Sequence, residues 1–227
     1  MKRRSKRYAK AAAMVEHGRR YGIEEAVALL QKLPASKFDE SVTVTVRLGI
    51  DAKKSDQNVR GAFSLPHGIG KSVRVAVFAE GDLAEQAKAA GADHVGGADL
   101  ADKVQGGWSE FDVAIAHPSM MRVVGKLGKV LGPQGKMPSP KAGTVVDAVA
   151  QAVKEFKAGK IEFRNDAGAN LHALMGKRSF KPVALKENIE AFVEHVKGMR
   201  PATAKGNFVV GACLASTMSP GIELAVV

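Results

Sequence analysis

Residues 65–72 read LPHGIGKS and end like a phosphate-binding loop. Whether they form one decides between a nucleotide-binding enzyme and a chain that changes domain at this point. A P-loop needs a glycine five residues before its Gly-Lys pair, so that backbone N–H groups converge on a phosphate. Leu65 stands there instead. A dinucleotide fingerprint needs a third glycine where Val73 stands, and it follows an apolar strand, whereas this run precedes one. Gly68 and Gly70 are therefore read as backbone freedom at a domain junction, with a weak anion nest as the other reading.

The sequence on the two sides of this run follows different rules. Upstream, residues 42–50 (VTVTVRLGI) alternate Val42, Val44, Val46, Leu48 and Ile50 with Thr43, Thr45, Arg47 and Gly49, the pattern of an antiparallel strand with one wet face. Ahead of it, Ile23, Val27 and Leu30 mark a short helix over 24–33, closed by Pro34. Downstream, residues 73–79 (VRVAVFA) are almost continuously apolar, as in a strand buried on both faces. Helical and strand-like segments then alternate. GDLAEQAKAAG reads as helix, ADHV as strand, DLADKVQGG as helix, FDVAIA as strand and SMMRVVGKLGKVLG as helix. TVVDAVAQAVKEFKAG follows, with Thr144 and Asp147 as a capping pair. From residue 160 the first pattern returns, with IEFRND and ANLHALMG as strands, a helix after Pro182 and NFVVGACLA as a last strand. The expected architecture is a discontinuous α+β domain with an antiparallel sheet, residues 1–67 and 160–227. A smaller α/β, Rossmann-like domain, residues 68–159, is inserted in it, and two crossings join them, one at LPHGIGKS and one near Gly159.

At 45% apolar and 25% charged residues, the 227-residue chain has ordinary globular usage. A single cysteine, Cys213, excludes an intramolecular disulfide and a multi-cysteine zinc site, and its apolar run VVGACLA predicts burial. No apolar run approaches the roughly 18 residues of a membrane helix. The expectation is a soluble, cytoplasmic protein. The net charge of +11 is concentrated at the ends: residues 1–20 carry eight Lys and Arg against one carboxylate, whereas 21–159 are nearly neutral. Such a balance favours a polyanionic partner, most often nucleic acid and less often an anionic membrane surface. The basic arm MKRRSKRYAK reads equally as a solubilising tail or an RNA contact.

No catalytic constellation is apparent. His17, His67, His94, His117, His172 and His195 show no i, i+4 pairing, there is no G-x-S-x-G elbow, and neither a metal site nor a cofactor is expected. The runner-up class, an enzyme binding a nucleotide on the inserted domain, needs a Gly-rich turn after its first parallel strand; EGDLAEQ offers one glycine and two acids. A structural adaptor that binds no RNA is the third class. Two segments suit RNA: SKFDES, with Phe38 beside Lys37, Asp39, Glu40 and Ser41, and ASTMSPG, with Ser216, Thr217, Met218 and Ser219. Each joins an apolar side chain, able to lie on ribose or base, to short hydrogen-bonding groups, although Phe and Met more often belong to a core. In LGPQGKMPSPKAGT, Lys136 and Lys141 sit on a Gly/Pro loop that is as readily structural as phosphate-binding.

SKFDESV, GIDAKKSDQNVRGAFSLPHGIGK, LGKVLGPQGKMPSPKAGTV, KAGKIEFRND and STM, in this order and spacing, resemble the bacterial ribosomal protein L-one family over about residues 8–220. The resemblance implies two domains joined by a two-strand hinge at Pro66, Gly68, Gly70 and Gly159. It implies a main RNA site at Lys37, Phe38, Glu40, Ser41, His172, Lys177, Ser216, Thr217 and Met218, with a secondary RNA contact at Lys136 and Lys141. The family usually has glycine where this chain has Ser219, which raises the question of a positive φ there. It further implies a non-enzymatic constituent of the large ribosomal subunit that binds rRNA of the mobile side stalk and assists release of deacylated tRNA from the exit site. Repression of translation through the protein's own messenger RNA, no membrane partner and a monomeric state off the ribosome are implied as well.

Overall fold

A computed structural model of the chain describes residues 4–54 and 56–226. They form two compact units, one drawn from the chain up to Gly70 and from Ile161 onward, the other from Lys71–Lys160. The first unit opens with α1 (Lys6–Ala13), α2 (Ile23–Lys32), β1 (Ser41–Leu48) and β2 (Arg60–Ser64). The second contains β3 (Val75–Phe78), α3 (Asp82–Ala89), β4 (His94–Gly96), α4 (Ala98–Gln105), β5 (Val113–Ala116), the short α5 (Met121–Val124) and α6 (Gly128–Leu131), and α7 (Val149–Ala158). The chain ends with β6 (Lys160–Arg164), β7 (Asn170–Lys177), α8 (Pro182–Gly198), β8 (Val209–Ser216) and β9 (Ile222–Leu224).

In the first unit the main sheet has the order β7-β1-β8-β9 and is antiparallel throughout. The alternation of β1 fixes its faces: Val42, Val44, Val46 and Leu48 are buried, while Thr43, Thr45 and Arg47 are not. A one-residue slip would exchange the two sets, losing roughly 1.5–3 kcal/mol for each apolar side chain brought into water. On the buried face α2 and α8 pack against each other and against β7, β8 and β9. They contribute Val27, Leu30, Leu185, Ile189, Phe192 and Val196 to the core. The opposite face is left to Thr43, Thr45, Arg47, His172, Cys213 and Ala215, none of them buried. Cys213 is thus half-exposed, because it falls on the outward phase of β8 between buried Ala212 and Leu214. Burial of the thiol, with Glu223 alongside, still pushes its pKa up, which disfavours a nucleophilic thiolate.

The second unit is a parallel sheet of order β4-β3-β5. All four residues of β3 are buried, as its continuous apolar run requires. Ala76, Phe78, Ala114 and Ala116 face a core completed by Leu100, Val104, Phe111, Val124, Leu127 and Leu131, while α3 and α7 pack together against β3.

Four local expectations are revised. The basic arm is in part the helix α1, capped by the Ser5 side chain. Thr144 and Asp147 do not cap α7, whose N-cap is Ala148. Thr144–Val146 instead runs extended beside Ala116, and the buried Thr144 hydroxyl accepts from Ser139 N–H at 2.8 Å. The β-branched run TVV was the overlooked strand signal. A further strand, β9, follows the one read as the last. The segment expected as one helix over 119–132 breaks into short α and 3-10 turns at Gly125 and Gly128, the residues of lowest helix propensity in it apart from its terminal Gly132.

The LPHGIGKS question has a local answer. Gly68 and Gly70 have φ of 64° and 67°. A Cβ on Gly70 would lie 2.5 Å from the Phe180 ring. The fully buried side chain of Asn188 on α8 accepts from His67 N–H at 3.0 Å and donates to the carbonyls of Gly68 and Met175. These residues are thus fastened to α8 and β7. Gly125 is the opposite case, with φ −55° and nothing within 4 Å of an added Cβ. Gly70→Ala is therefore expected to lower stability by about 1–3 kcal/mol, and Gly125→Ala to raise it by about 0.4–1 kcal/mol. Urea unfolding midpoints of the two variants will move in opposite directions from wild type.

Candidate nucleic-acid interface

Antiparallel pairing brings three distant segments to one end of the main sheet. β1 begins where β7 and β8 end, with Ser41 opposite Lys177 and Val42 opposite Ser216. The segments around residues 36–41, 177–179 and 216–219 thereby become neighbours. Ser41 N–H donates to Thr217 Oγ1 at 3.0 Å, and Thr217 N–H donates to Ser41 O at 3.0 Å. Lys177 Nζ reaches Ser41 Oγ at 2.9 Å, and Ser179 Oγ donates to Asp39 at 2.8 Å.

Glu40 ties these segments together from inside. Its side chain is 1% exposed, so it acts from within, on the groups around it. One carboxylate oxygen accepts from Ser36 N–H at 2.9 Å and the other from the Ser216 hydroxyl. The guanidinium groups of Arg7 and Arg178 each lie 3.7 Å away. Burial opposes the charge of Glu40, but the bonds from Ser216 and Ser36, with Arg178 alongside, outweigh it and hold the carboxyl below its ordinary 4.5. The two arginines extend the network. Arg7 on α1 donates to Met218 O at 3.1 Å and Pro34 O at 3.3 Å. Arg178 donates to the carbonyls of Gln31 and Leu33 at the end of α2. Neither arginine was singled out from sequence, because no local pattern marks a basic residue whose partner is more than 30 positions away. For Arg7 the one available signal was its place in the basic arm.

What this frame presents outward is mixed. Phe38 and Met218 are 52% and 46% exposed, among the few large apolar side chains so placed. Neither belongs to the core. Lys37 and Thr217 are exposed, and Ser41 and Lys177 are half-buried beside them. Ser216 is buried through its bond to Glu40. Ser219 does not adopt positive φ. Its hydroxyl accepts from Ser216 N–H at 2.8 Å and donates to Pro220 O at 2.9 Å, which closes the turn. His172 lies farther along the open face, its ring nitrogens 3.1 Å from Thr45 Oγ1 and 3.5 Å from Asp166.

Lys136 and Lys141 belong to the second unit and differ in availability. Lys136 donates to Ser109 O at 2.9 Å and stands over the Phe111 ring, 5.2 Å from its centroid. Lys141 is exposed. Gly159 is the left-handed C-cap of α7, with φ 114°. No described helix is long and apolar enough to cross a membrane.

Residues 30–220 match the model of the ribosomal protein L1p/L10e family. A protein of Kosmotoga olearia named large ribosomal subunit protein uL1 is 54% identical over 224 residues, which is 99% of this chain and 97% of that protein. Proteins of the same name from Fervidobacterium nodosum and Alcanivorax borkumensis are each 54% identical, over 99% of this chain and 96% and 97% of their own lengths.

Substituting Glu40→Gln leaves two arginines around an uncharged group and is expected to cost about 3 kcal/mol, the lower range for breaking a buried pair. The sign with pH follows from the lowered pKa. The contribution of Glu40 is fully present above its ordinary 4.5 and is lost as pH falls through the lower folded value. Thermal unfolding from pH 7 down to pH 3 is therefore expected to show a large gap between wild type and Glu40→Gln that narrows below about pH 4.5.

Proposed function

The chain belongs to the ribosomal protein L1p/L10e family, and from that membership, which makes it a non-enzymatic protein of the large ribosomal subunit, we propose that it binds rRNA of the mobile side stalk through the end of its antiparallel sheet. The supporting observation is that Phe38 and Met218 stand exposed on segments cross-linked through Ser41, Thr217 and Glu40, with Lys37 and Lys177 beside them. Apolar surface can lie against ribose or base, hydroxyls can bond 2′-hydroxyl and phosphate oxygens, and lysines add salt-dependent attraction. Because the loops are bonded to one another in the free chain, little ordering is required on binding, which favours recognition of RNA shape.

In the same reading His172 and Ser219 border the contact, Glu40 and Ser216 act from beneath it, and Lys141, more than Lys136, is available for a secondary contact. Gly159, Pro66, Gly68 and Gly70 are the hinge positions of a two-domain arrangement with domains 1–67 plus 160–227 and 68–159. Assistance in releasing deacylated tRNA from the exit site, binding to the protein's own messenger RNA with repression of its translation, and a monomeric state off the ribosome complete the proposal.

The nucleotide-binding alternative is set aside by the family. Local chemistry agrees: Glu80 and Asp82 flank Gly81 at the N-cap of α3, where a phosphate would meet like charge. His117 does contact Ser119 Oγ at 2.6 Å and Asp147 at 3.7 Å, yet the Asp147 side chain is 91% exposed and lacks the burial that orients a triad's acid.

The test is the affinity for a side-stalk rRNA fragment and for an unrelated RNA duplex across a potassium chloride series. The stalk fragment is expected to bind about a thousandfold tighter, the lower end of specific ratios for DNA complexes. Phe38→Ala and Met218→Ala are each expected to lose at least tenfold of that preference, about 1.4 kcal/mol, with an unchanged thermal midpoint. Equal binding of both RNAs by the wild type, or full preference in either folded variant, would overturn the assignment.

A further inference from the structure

Charge in the second unit is segregated. Between Asp112 and Asp147 lie five basic residues, Arg122, Lys126, Lys129, Lys136 and Lys141, and no carboxylate. The rest of Lys71–Lys160 carries seven Lys and Arg against ten Asp and Glu. Three of the five basic residues recur at i, i+4 and i+7 along the α5–α6 segment. Arg122, Lys126 and Lys129 are all exposed, while Met120, Val124, Leu127 and Leu131 are buried on the opposite side. The stripe thus runs about 10 Å along the segment. None of its three cations pairs with a carboxylate among the described residues.

A solvated helix face accounts for charge at helical spacing, but the other helices of the second unit, α3, α4 and α7, carry both signs and this segment carries one. Nor does solvation account for Gly125 and Gly128, which lie beside the stripe in ordinary right-handed helical geometry with open space where a Cβ would be. Side chains there would screen the backbone, whereas their absence leaves bare main chain between three cations. We propose that the Arg122–Lys126–Lys129 stripe is a contact for the phosphate backbone of RNA that does not read sequence. It rests on the reading that the chain binds RNA, and it adds to the exposed Lys141 three residues that resemblance to the family did not assign.

Removing backbone contacts weakens binding to all sequences alike and lowers the salt dependence by nearly one for each phosphate no longer neutralised. The experiment compares the full-length wild type with the R122Q/K126Q/K129Q variant on the stalk rRNA fragment, on an unrelated RNA duplex, and on phosphatidylserine vesicles. The expected result is a loss of at least tenfold on the duplex at low salt, and a log-log salt slope shallower by about 2 to 3. Thermal stability is expected to stay unchanged. The duplex arm judges the stripe by itself, since failure of the stalk preference condemns the sheet-end site and leaves the duplex result standing. Unchanged affinity and slope on the duplex would overturn the stripe, as would a loss confined to the vesicles, which would assign it to a membrane surface.

Discussion

The carboxylate of Glu40 is removed from water and remains charged, and the geometry of the whole sheet end follows from that. A buried charge is tolerated only when it is paired and hydrogen-bonded. Here the hydrogen bonds come from Ser36 just before it and Ser216 on β8, and the opposite charges from Arg178 after β7 and Arg7 on α1, each 3.7 Å away. Satisfying one group therefore fixes four segments, and displacing any one leaves a charge or a donor unsatisfied. Arg7, and Arg178 through Nη2, also donate to main-chain carbonyls at 31, 33, 34 and 218, while Arg178 Nη1 faces Glu40 without a hydrogen bond, so the constraint reaches from the end of α2 to the turn after β8. In this arrangement the exposed Phe38 and Met218 stand on segments held by the buried Glu40 and Ser216.

A second buried polar group works in the same way elsewhere in the first unit. The Asn188 side chain bonds to His67, Gly68 and Met175, so it holds the chain to α8 and β7 at the point where the sequence suggests a loose connector. Positive φ at Gly68 and Gly70 is a requirement of this docking and says little about mobility. A glycine-rich run can thus be anchored within one unit whenever a buried side chain there supplies the hydrogen bonds.

This difference between local and long-range constraint separates what could be read from sequence from what could not. The faces of β1, the buried β3 and the helix after Pro182 were apparent, because period and burial are properties of adjacent residues. The turn chemistry after β5 was misread, because Thr144 satisfies its hydroxyl on Ser139 and leaves α7 uncapped. At the sheet end, composition favoured the core for Phe38 and Met218; resemblance to the family nominated them as contacts instead, and their exposure removes the core reading. Resemblance also nominated Glu40 among contact residues, without distinguishing a group that touches a ligand from one that holds the touching groups. The Arg7 and Arg178 contacts span more than 30 and more than 130 residues, beyond the reach of any pattern.

Under the proposed reading, the segregation of charge separates selectivity from speed of association. A preorganised patch built on hydroxyls and two apolar side chains discriminates shape but attracts weakly at a distance, since its lysines are few and Lys177 is already engaged with Ser41. Long-range attraction needs cations without partners, and these lie elsewhere, in the uncompensated Arg122–Lys126–Lys129 stripe and on the outward side of α1, where Lys6 and Lys10 are exposed. Screening by salt acts on the second group far more than on the first. Under the proposed reading, therefore, raising ionic strength slows encounter and weakens binding to every RNA while leaving the preference among RNAs largely intact, because preference and attraction reside in different residues.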